Sequence, residues 1–161
     1  MRNKIKTIDE LTDIVSQLHR EGKIVVSTGG CFDIIHAGHI YYLEEASKLG
    51  DCFIVFLNSD VSVRGVKGDK RPIVTEQDRA EVIAALEAVD YVCLFDESTP
   101  CEIIENVKPD LFIKGGDYRG KHIPEMDVLG QYGGKVEYLD FKDGRSTTDI
   151  IEKILDTYIG E

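Results

Sequence analysis

Two histidines, His36 and His39, stand three residues apart in the stretch GGCFDIIHAGH, after an apolar run and before a helix-like segment. Such a pair could ligate a metal, serve a nucleophile as base, pack or cap a helix, or donate hydrogen bonds to an anion. A metal site usually takes three or four protein ligands, and the other histidines, His19 and His122, lie far away in sequence. The residues favour the anion site, because glycines let the backbone approach a ligand and a helix start offers unpaired N–H groups.

Positive charge is gathered locally in a chain whose formal net charge is −11. Four cations and one acid fall between Arg64 and Arg71, and Lys114 ends a strand-like run beside two glycines. A solvated loop and a plain turn would explain these two features equally well. The overall acidity argues against nucleic-acid or anionic-membrane partners, whereas small anionic substrates remain compatible with local cations.

Hydroxyl side chains open the last helix-like segment, where Ser146 or Thr147 is placed to cap it. Capping alone would explain the hydroxyls. With Arg145 beside them, they also fit a second anion-binding helix start. Asn58 follows a strand-like run, in a stretch that is predicted to be a turn.

Alternating strand-like and helix-like segments must position these groups. A first helix is predicted from the capping-box pattern at residues 7–10, and Gly22 is placed to end it. Further helices are predicted at 39–49, 75–86, 100–107, 125–131 and 147–159. Strands are predicted at 23–27, 52–57, 91–95, 111–113 and 135–139. Repeated βα units predict a Rossmann-like, three-layer α/β sandwich with a mainly parallel five-stranded sheet. The nucleotide site of such a fold lies at the C-terminal ends of the strands.

The length of 161 residues predicts a single domain, residues 1–161. No apolar run reaches the roughly 18–20 residues that span a bilayer, and no secretory signal opens the chain. We therefore expect a cytoplasmic protein with no membrane partner. Its four scattered cysteines are expected to be reduced.

The motifs resemble a known family. His36-Ala-Gly-His39 is similar to the HxGH signature of the cytidylyltransferase-like nucleotidyltransferases, and Ser146-Thr147-Thr148 is similar to their second signature. The segments VKGDKRPI, ALEAVDYV, KPDLFIKGGDY and GRSTTDIIEKI resemble the adenylyltransferase domain of ADP-heptose synthesis. The resemblance covers residues 23–155, behind an N-terminal helix within 1–22. The chain departs from the family at Gly29-Gly30-Cys31, where Asn-Gly is common.

This resemblance implies transfer of AMP from ATP to a sugar 1-phosphate, D-glycero-β-D-manno-heptose 1-phosphate, with release of pyrophosphate. The catalytic residues would be His36, His39, Lys67 and Arg71. The nucleotide-binding residues would be Gly30, Cys31, Phe32, Asp33, His36, Gly38, His39, Lys114, Gly115, Asp117, Arg145, Ser146, Thr147 and Thr148. The sugar phosphate would be bound by Asn58, Lys67, Arg71 and Asp117.

The resemblance also implies Mg²⁺ with ATP as the cofactor, held by phosphate oxygens and water and by no protein side chain that the motifs identify. It implies a homodimer, and a separate sugar kinase and phosphatase in the pathway, since the domain is fused behind a sugar kinase in many relatives. Three alternatives stay open: a cytidylyltransferase acting on glycerol 3-phosphate or another small alcohol phosphate, a non-catalytic nucleotide-binding module, and a metal-binding structural protein.

Overall fold

The computed structural model describes residues 2–141 and 146–160. Arg145, which was expected to bind nucleotide, lies outside these residues. Seven helices are described: α1 Ile8–Arg20, α2 Ala37–Ser47, α3 Asp60–Lys67, α4 Glu76–Ala84, α5 Cys101–Val107, α6 Pro124–Gly130 and α7 Thr147–Tyr158. The strands are β1 Val25–Gly30, β2 Cys52–Asn58, β3 Tyr91–Phe95, β4 Leu111–Gly115 and β5 Lys135–Leu139. Short 3₁₀ turns lie at Arg2–Lys4 and Gly116–Tyr118.

The five strands form one sheet in the order β3-β2-β1-β4-β5, and every neighbouring pair is parallel. This arrangement confirms the predicted Rossmann-like fold. The chain winds outwards from β1 in both directions, so the strand order reverses between β1 and β4. A crevice opens at such a reversal, outside the carboxyl ends of the strands.

Helices cover both faces of the sheet, which explains why β2 is buried along its whole length and reads as a continuous apolar run. Phe53, Val55 and Leu57 pack on one face with α2 and α4. Ile54 and Phe56 pack on the other face with α1, α5 and α6. The two layers of helices therefore hold the strand ends rigidly in place.

Aspartates at the starts of three strands hold neighbouring strands in register. The carboxylate of Asp51, just before β2, accepts the N–H of Ile24 at 2.8 Å. Asp90, just before β3, accepts the N–H of Phe53 at 2.7 Å, and Asp110, just before β4, accepts the N–H of Val25 at 2.8 Å. These carboxylates accept hydrogen bonds from N–H groups at the amino-terminal ends of the strands, on the side of the sheet opposite the crevice.

Several boundaries differ from the prediction. Where a turn was expected at 58–60, β2 ends at Asn58 and the unpredicted helix α3 begins at Asp60, capped by the side chain of Ser59. β1 begins and ends later than expected, and α2 begins at Ala37 because His36 itself is the N-cap. The helix α7 forms as expected, but it has no buried residue.

In the part of the chain that the structure describes, the helices are all too short or too polar to cross a bilayer.

We predict that Asp90→Ala lowers the free energy of unfolding by about 1–2 kcal/mol, because the Phe53 N–H then loses a charged acceptor. Urea denaturation measures this change. The matched control is Asp96→Ala, at an exposed position just after β3, which should stay within about 0.5 kcal/mol of the parent chain. Equal losses in the two variants would contradict the proposed role of Asp90.

Candidate active site

A cleft of about 650 Å³ lies at the carboxyl ends of the strands. This volume is in the range of small-molecule sites. Residues from the ends of β1, β2, β3 and β4, from the loop after α3, and from the start of α7 line it. The cleft therefore occupies the crevice that the strand order predicts.

The turn after β1 is built tightly. Phe32 has a positive φ of 45° and its ring folds back over Gly30, where a Cβ would lie 2.6 Å from Cε2 of Phe32. The same ring meets the ring of His39 edge-on, with centroids 5.3 Å apart. Glycine at position 30 is thus required by the close approach of an aromatic ring that supports one of the two histidines.

The two histidines cap helix α2 reciprocally. His36 is the N-cap, and its Nδ1 accepts the N–H of Gly38 at 3.1 Å. Nδ1 of His39 accepts the backbone N–H of His36 at 3.3 Å, and the two rings stack with centroids 3.8 Å apart. A nitrogen that accepts a hydrogen bond carries no proton, so each neutral ring carries its proton on Nε2.

His39 is uncharged at neutral pH. Burial, and then the neighbouring His36, lower the pKa of His39 to about 4. Such a ring donates a hydrogen bond through Nε2 without giving up a proton. Both rings line the cleft at the start of an 11-residue helix, where the helix dipole also favours an anion.

Asp33 fastens the cation-bearing loop to the end of β1. Its fully buried carboxylate accepts Nε of Arg71 at 2.7 Å and the backbone N–H groups of Ile73 and Val74 at 2.9 and 2.8 Å. Burial alone would raise the pKa of Asp33, but these N–H bonds and the guanidinium outweigh it and lower the pKa. Asp33 therefore positions Arg71.

Arg79 is a residue that the sequence analysis missed. Its buried guanidinium donates to the carbonyl oxygens of Cys31 and Asn58 at 2.7 and 2.8 Å, and to a carboxylate oxygen of Asp60 at 2.9 Å. Nε donates to the carbonyl of Val74 at 2.9 Å. One side chain thus joins the ends of β1 and β2, the start of α3 and the loop that carries Arg71.

At the end of β2, Asn58 is buried and its side-chain amide donates to Ser62 Oγ at 2.9 Å. Lys67, at the end of α3, is exposed and lines the cleft. Lys67 has its charged group available to an anion, while Ser62 engages one of the two N–H groups of the Asn58 amide.

The start of α7 closes another side of the cleft, which Ser146, Thr147 and Thr148 line. The Thr147 hydroxyl donates to the carbonyl of Ile34 at 3.2 Å and so ties α7 to the turn before α2. Ser146 Oγ accepts the N–H of Asp149 at 3.0 Å, which leaves its proton for another acceptor. Ser146 and Thr148 are therefore the better placed hydroxyl donors.

The two glycines at the end of β4 let neighbouring side chains approach the backbone closely. A Cβ at Gly115 would lie 2.5 Å from Cε2 of Phe141, and a Cβ at Gly116 would lie 1.9 Å from Oδ1 of Asp140. The Phe141 ring is half-exposed, lines the cleft and stacks on the buried ring of Tyr42 with centroids 4.8 Å apart. This pair gives the cleft an aromatic wall, which the sequence analysis also missed.

Of the predicted site residues that the structure describes, all but one line the cleft. Gly38 is buried at the start of α2 and contributes its backbone N–H to His36. Arg145 lies outside the described residues. The other predicted residues that line the cleft are Gly30, Cys31, Phe32, Asp33, His36, His39, Asn58, Lys67, Arg71, Lys114, Gly115, Asp117, Ser146, Thr147 and Thr148.

Metal ligation was one alternative for the histidines. Within residues 2–141 and 146–160, no three His, Cys, Asp or Glu side chains lie close enough together to hold a metal ion. In both histidines Nδ1 already accepts a backbone N–H. The geometry around the described residues thus favours anion binding by these rings.

Comparison with known proteins places the chain among relatives of one family. The model of the cytidylyltransferase-like family matches residues 27–153. The chain is 49% identical to the bifunctional protein HldE of Syntrophotalea carbinolica over 97% of its own length, and 50% identical to that of Geobacter metallireducens over 96%. It spans 32% of the length of each of these relatives.

A solved structure is also similar. The lipopolysaccharide core biosynthesis protein from Thermoplasma volcanium superimposes with a TM-score of 0.62 and is 33% identical in sequence. The match covers 75% of this chain and 98% of that one.

We predict that NMR titration finds the His39 ring neutral from pH 8 down to about pH 4, with its proton on Nε2. An ordinary histidine takes up its proton near pH 6.5. As the pH falls below that value, the unfolded chain therefore binds a proton that the native ring does not, and the protein loses stability. A midpoint near 6.5, or a proton on Nδ1, would contradict the assignment.

Proposed function

Because the chain belongs to the cytidylyltransferase-like family of nucleotidyltransferases, we propose that it transfers AMP from ATP to a sugar 1-phosphate. The proposed acceptor is D-glycero-β-D-manno-heptose 1-phosphate, and the products are ADP-heptose and pyrophosphate. Identity to HldE proteins and the motifs KGDKRP, KGGDY and STT support this choice. The proposal concerns the activity of this domain, which matches about a third of those relatives.

The observation that carries the proposal is the pair of stacked imidazoles that cap α2 at the floor of the cleft. Both Nδ1 atoms accept hydrogen bonds from backbone N–H groups. The ring proton therefore lies on Nε2 in each imidazole, and Nε2–H is the hydrogen-bond donor. The pKa of about 4 makes His39 a neutral donor rather than an acid. Donors held in fixed positions stabilise charge that develops as a reaction proceeds.

The reaction needs positioning and charge stabilisation more than proton transfer. A sugar phosphate oxygen attacks the α-phosphorus of ATP and forms a new O–P bond. The bond from the α-phosphorus to the bridging oxygen breaks, and its electron pair leaves with pyrophosphate. The nucleophile is already largely ionised at pH 7, because the second pKa of a phosphate monoester is about 6. A general base is therefore not required.

The described residues suggest a division of the cleft. The imidazoles and the hydroxyls of Ser146 and Thr148 would meet the triphosphate. Lys67 and Arg71 would meet the sugar phosphate or the leaving pyrophosphate. Asp33 accepts a hydrogen bond from Nε of Arg71, and the two terminal nitrogens make no hydrogen bond to residues that the structure describes. Arg71 could therefore bind a phosphate through both of them.

The residues fit a divalent cation that arrives with the nucleotide, proposed to be Mg²⁺. Asp33 is a buried carboxylate of the cleft, but it is saturated by Arg71 and two backbone N–H groups. Phosphate oxygens and water would hold the cation, as is usual for Mg²⁺ with a nucleotide. When bound, it would neutralise part of the triphosphate charge.

A matrix of nucleotides against acceptors tests the proposal. ATP, CTP, GTP and UTP are each incubated with heptose 1-phosphate, mannose 1-phosphate, glucose 1-phosphate and glycerol 3-phosphate, and pyrophosphate release is followed. We expect turnover with ATP and heptose 1-phosphate. Turnover with CTP and glycerol 3-phosphate would replace this proposal by a cytidylyltransferase. Tight ATP binding without pyrophosphate release on any acceptor would indicate a binding module.

We predict that His36→Ala and His39→Ala each lower kcat by about 100-fold or more, as the loss of a donor to a developing anion does. The matched control is His122→Ala, because His122 is exposed, pairs with Asp127 and lies outside the cleft. It should keep the parental kcat. A folded His36 or His39 variant with full turnover would remove that ring from the mechanism.

A further inference from the structure

One buried acid of the cleft has no role in the reaction described above. Glu125, in the first turn of α6, is 3% exposed and lines the cleft. Among the described residues its carboxylate accepts no hydrogen bond, and its charged neighbour is Lys114, whose Nζ lies 3.6 Å from Oε1. That distance makes an ion pair that is too long for a hydrogen bond.

Glu125 lines the cleft, and its oxygens are not among the fully buried polar atoms that lack a hydrogen-bond partner. In the described part of the chain, the buried side-chain polar atom that lacks a hydrogen-bond partner is the hydroxyl of Tyr138. The oxygens of Glu125 are therefore in contact with the space of the cleft and are not sealed in the core. A buried carboxylate is costly unless hydrogen-bond donors surround it. A ligand in the cleft is placed to supply those donors.

Lys114 defines which ligand groups fit. It lies over the ring of Tyr118, with Nζ 4.5 Å from the centroid, and its side chain is about three-quarters buried. The ammonium group only donates hydrogen bonds and the carboxylate only accepts them. A hydroxyl group does both, so a pair of neighbouring hydroxyls can donate to Glu125 and accept from Lys114.

We propose that Glu125 and Lys114 form a subsite for a vicinal diol, with Glu125 accepting its hydroxyl protons. Both the ribose of the nucleotide and the ring of the acceptor sugar carry such a diol, and the subsite selects this shared chemistry. The inference rests on the proposed function for the identity of the two substrates. It adds a residue that discriminates between a hydroxylated ligand and its deoxy analogue.

Equilibrium binding measured by calorimetry tests the subsite without requiring turnover. One arm compares ATP with 2′-deoxyATP, 3′-deoxyATP and inosine triphosphate. The other arm compares mannose 1-phosphate with its monodeoxy analogues, in the presence of α,β-methylene ATP. We expect the parent chain to bind the hydroxylated ligand of one arm about 10- to 100-fold more tightly, since a hydrogen bond to a charged group is lost in the analogue.

In Glu125→Gln we expect this contrast, the ratio of the affinities for the hydroxylated and the deoxy ligand, to fall to about threefold or less. The arm in which the ratio falls identifies the diol that Glu125 binds. Glu137→Gln is the matched control, because Glu137 is exposed on β5 and lies outside the cleft. It should keep the full contrast. If Glu125→Gln does not fold, as judged by circular dichroism, Lys114→Met takes its place.

Three results would overturn the subsite: equal binding of hydroxylated and deoxy ligands by the parent chain, an undiminished contrast in Glu125→Gln, or a contrast confined to inosine triphosphate. The last result would assign Glu125 to the edge of the base. A failure of the proposed function differs from all three. In that case no acceptor is turned over, while the ribose contrast and its loss in Glu125→Gln can still be measured.

Discussion

The guanidinium group of Arg79 joins the four pieces of chain that form one half of the cleft. Four of its five N–H donors bond to three backbone carbonyls and to Asp60, and the group is fully buried. A buried charge is tolerated only when it is surrounded in this way, and removal of one partner from such a pair typically costs about 3–5 kcal/mol. The same bonds fix where β1 ends, and therefore where the turn that leads from β1 to His36 and α2 begins.

Backbone geometry, rather than a neighbouring side chain, sets the chemistry of the two imidazoles. A histidine usually has its tautomer fixed by a carboxylate or carbonyl that accepts the Nδ1 proton. Here Nδ1 of His36 and of His39 accepts an N–H group at the start of α2, so the proton lies on Nε2. Gly38 is part of this arrangement, because its N–H group donates to Nδ1 of His36.

The fold could be predicted from the sequence because it follows from periodicity, and the residues of the cleft could be predicted from motifs and from the family resemblance that they carry. Alternating strand and helix patterns predicted the parallel sheet, and the motifs after the strands predicted which residues meet at its carboxyl edge. Two of the missed residues, Arg79 and Glu125, are charged groups on buried faces of helices. Arg79 shares its buried face with Ala80 and Ile83, and Glu125 shares one with Leu129. A local sequence pattern does not identify the tertiary partners that stabilise such a buried charge. Only the three-dimensional structure shows those partners.

The acidity of the chain does not oppose binding of a triphosphate at this cleft. At physiological ionic strength, exposed charges are screened over about 8 Å, so most of the net charge of −11 acts weakly there. The nearby groups count more: two helix starts, two imidazole donors and the cations Lys67 and Arg71. The hydrogen bond that Asp33 accepts from Arg71 comes from Nε, and the two terminal nitrogens make no hydrogen bond to the described residues. The Asp33 carboxylate lowers the local positive potential, but it also fixes the position of the guanidinium. In-line attack on the α-phosphorus of a nucleotide depends on such fixed positions.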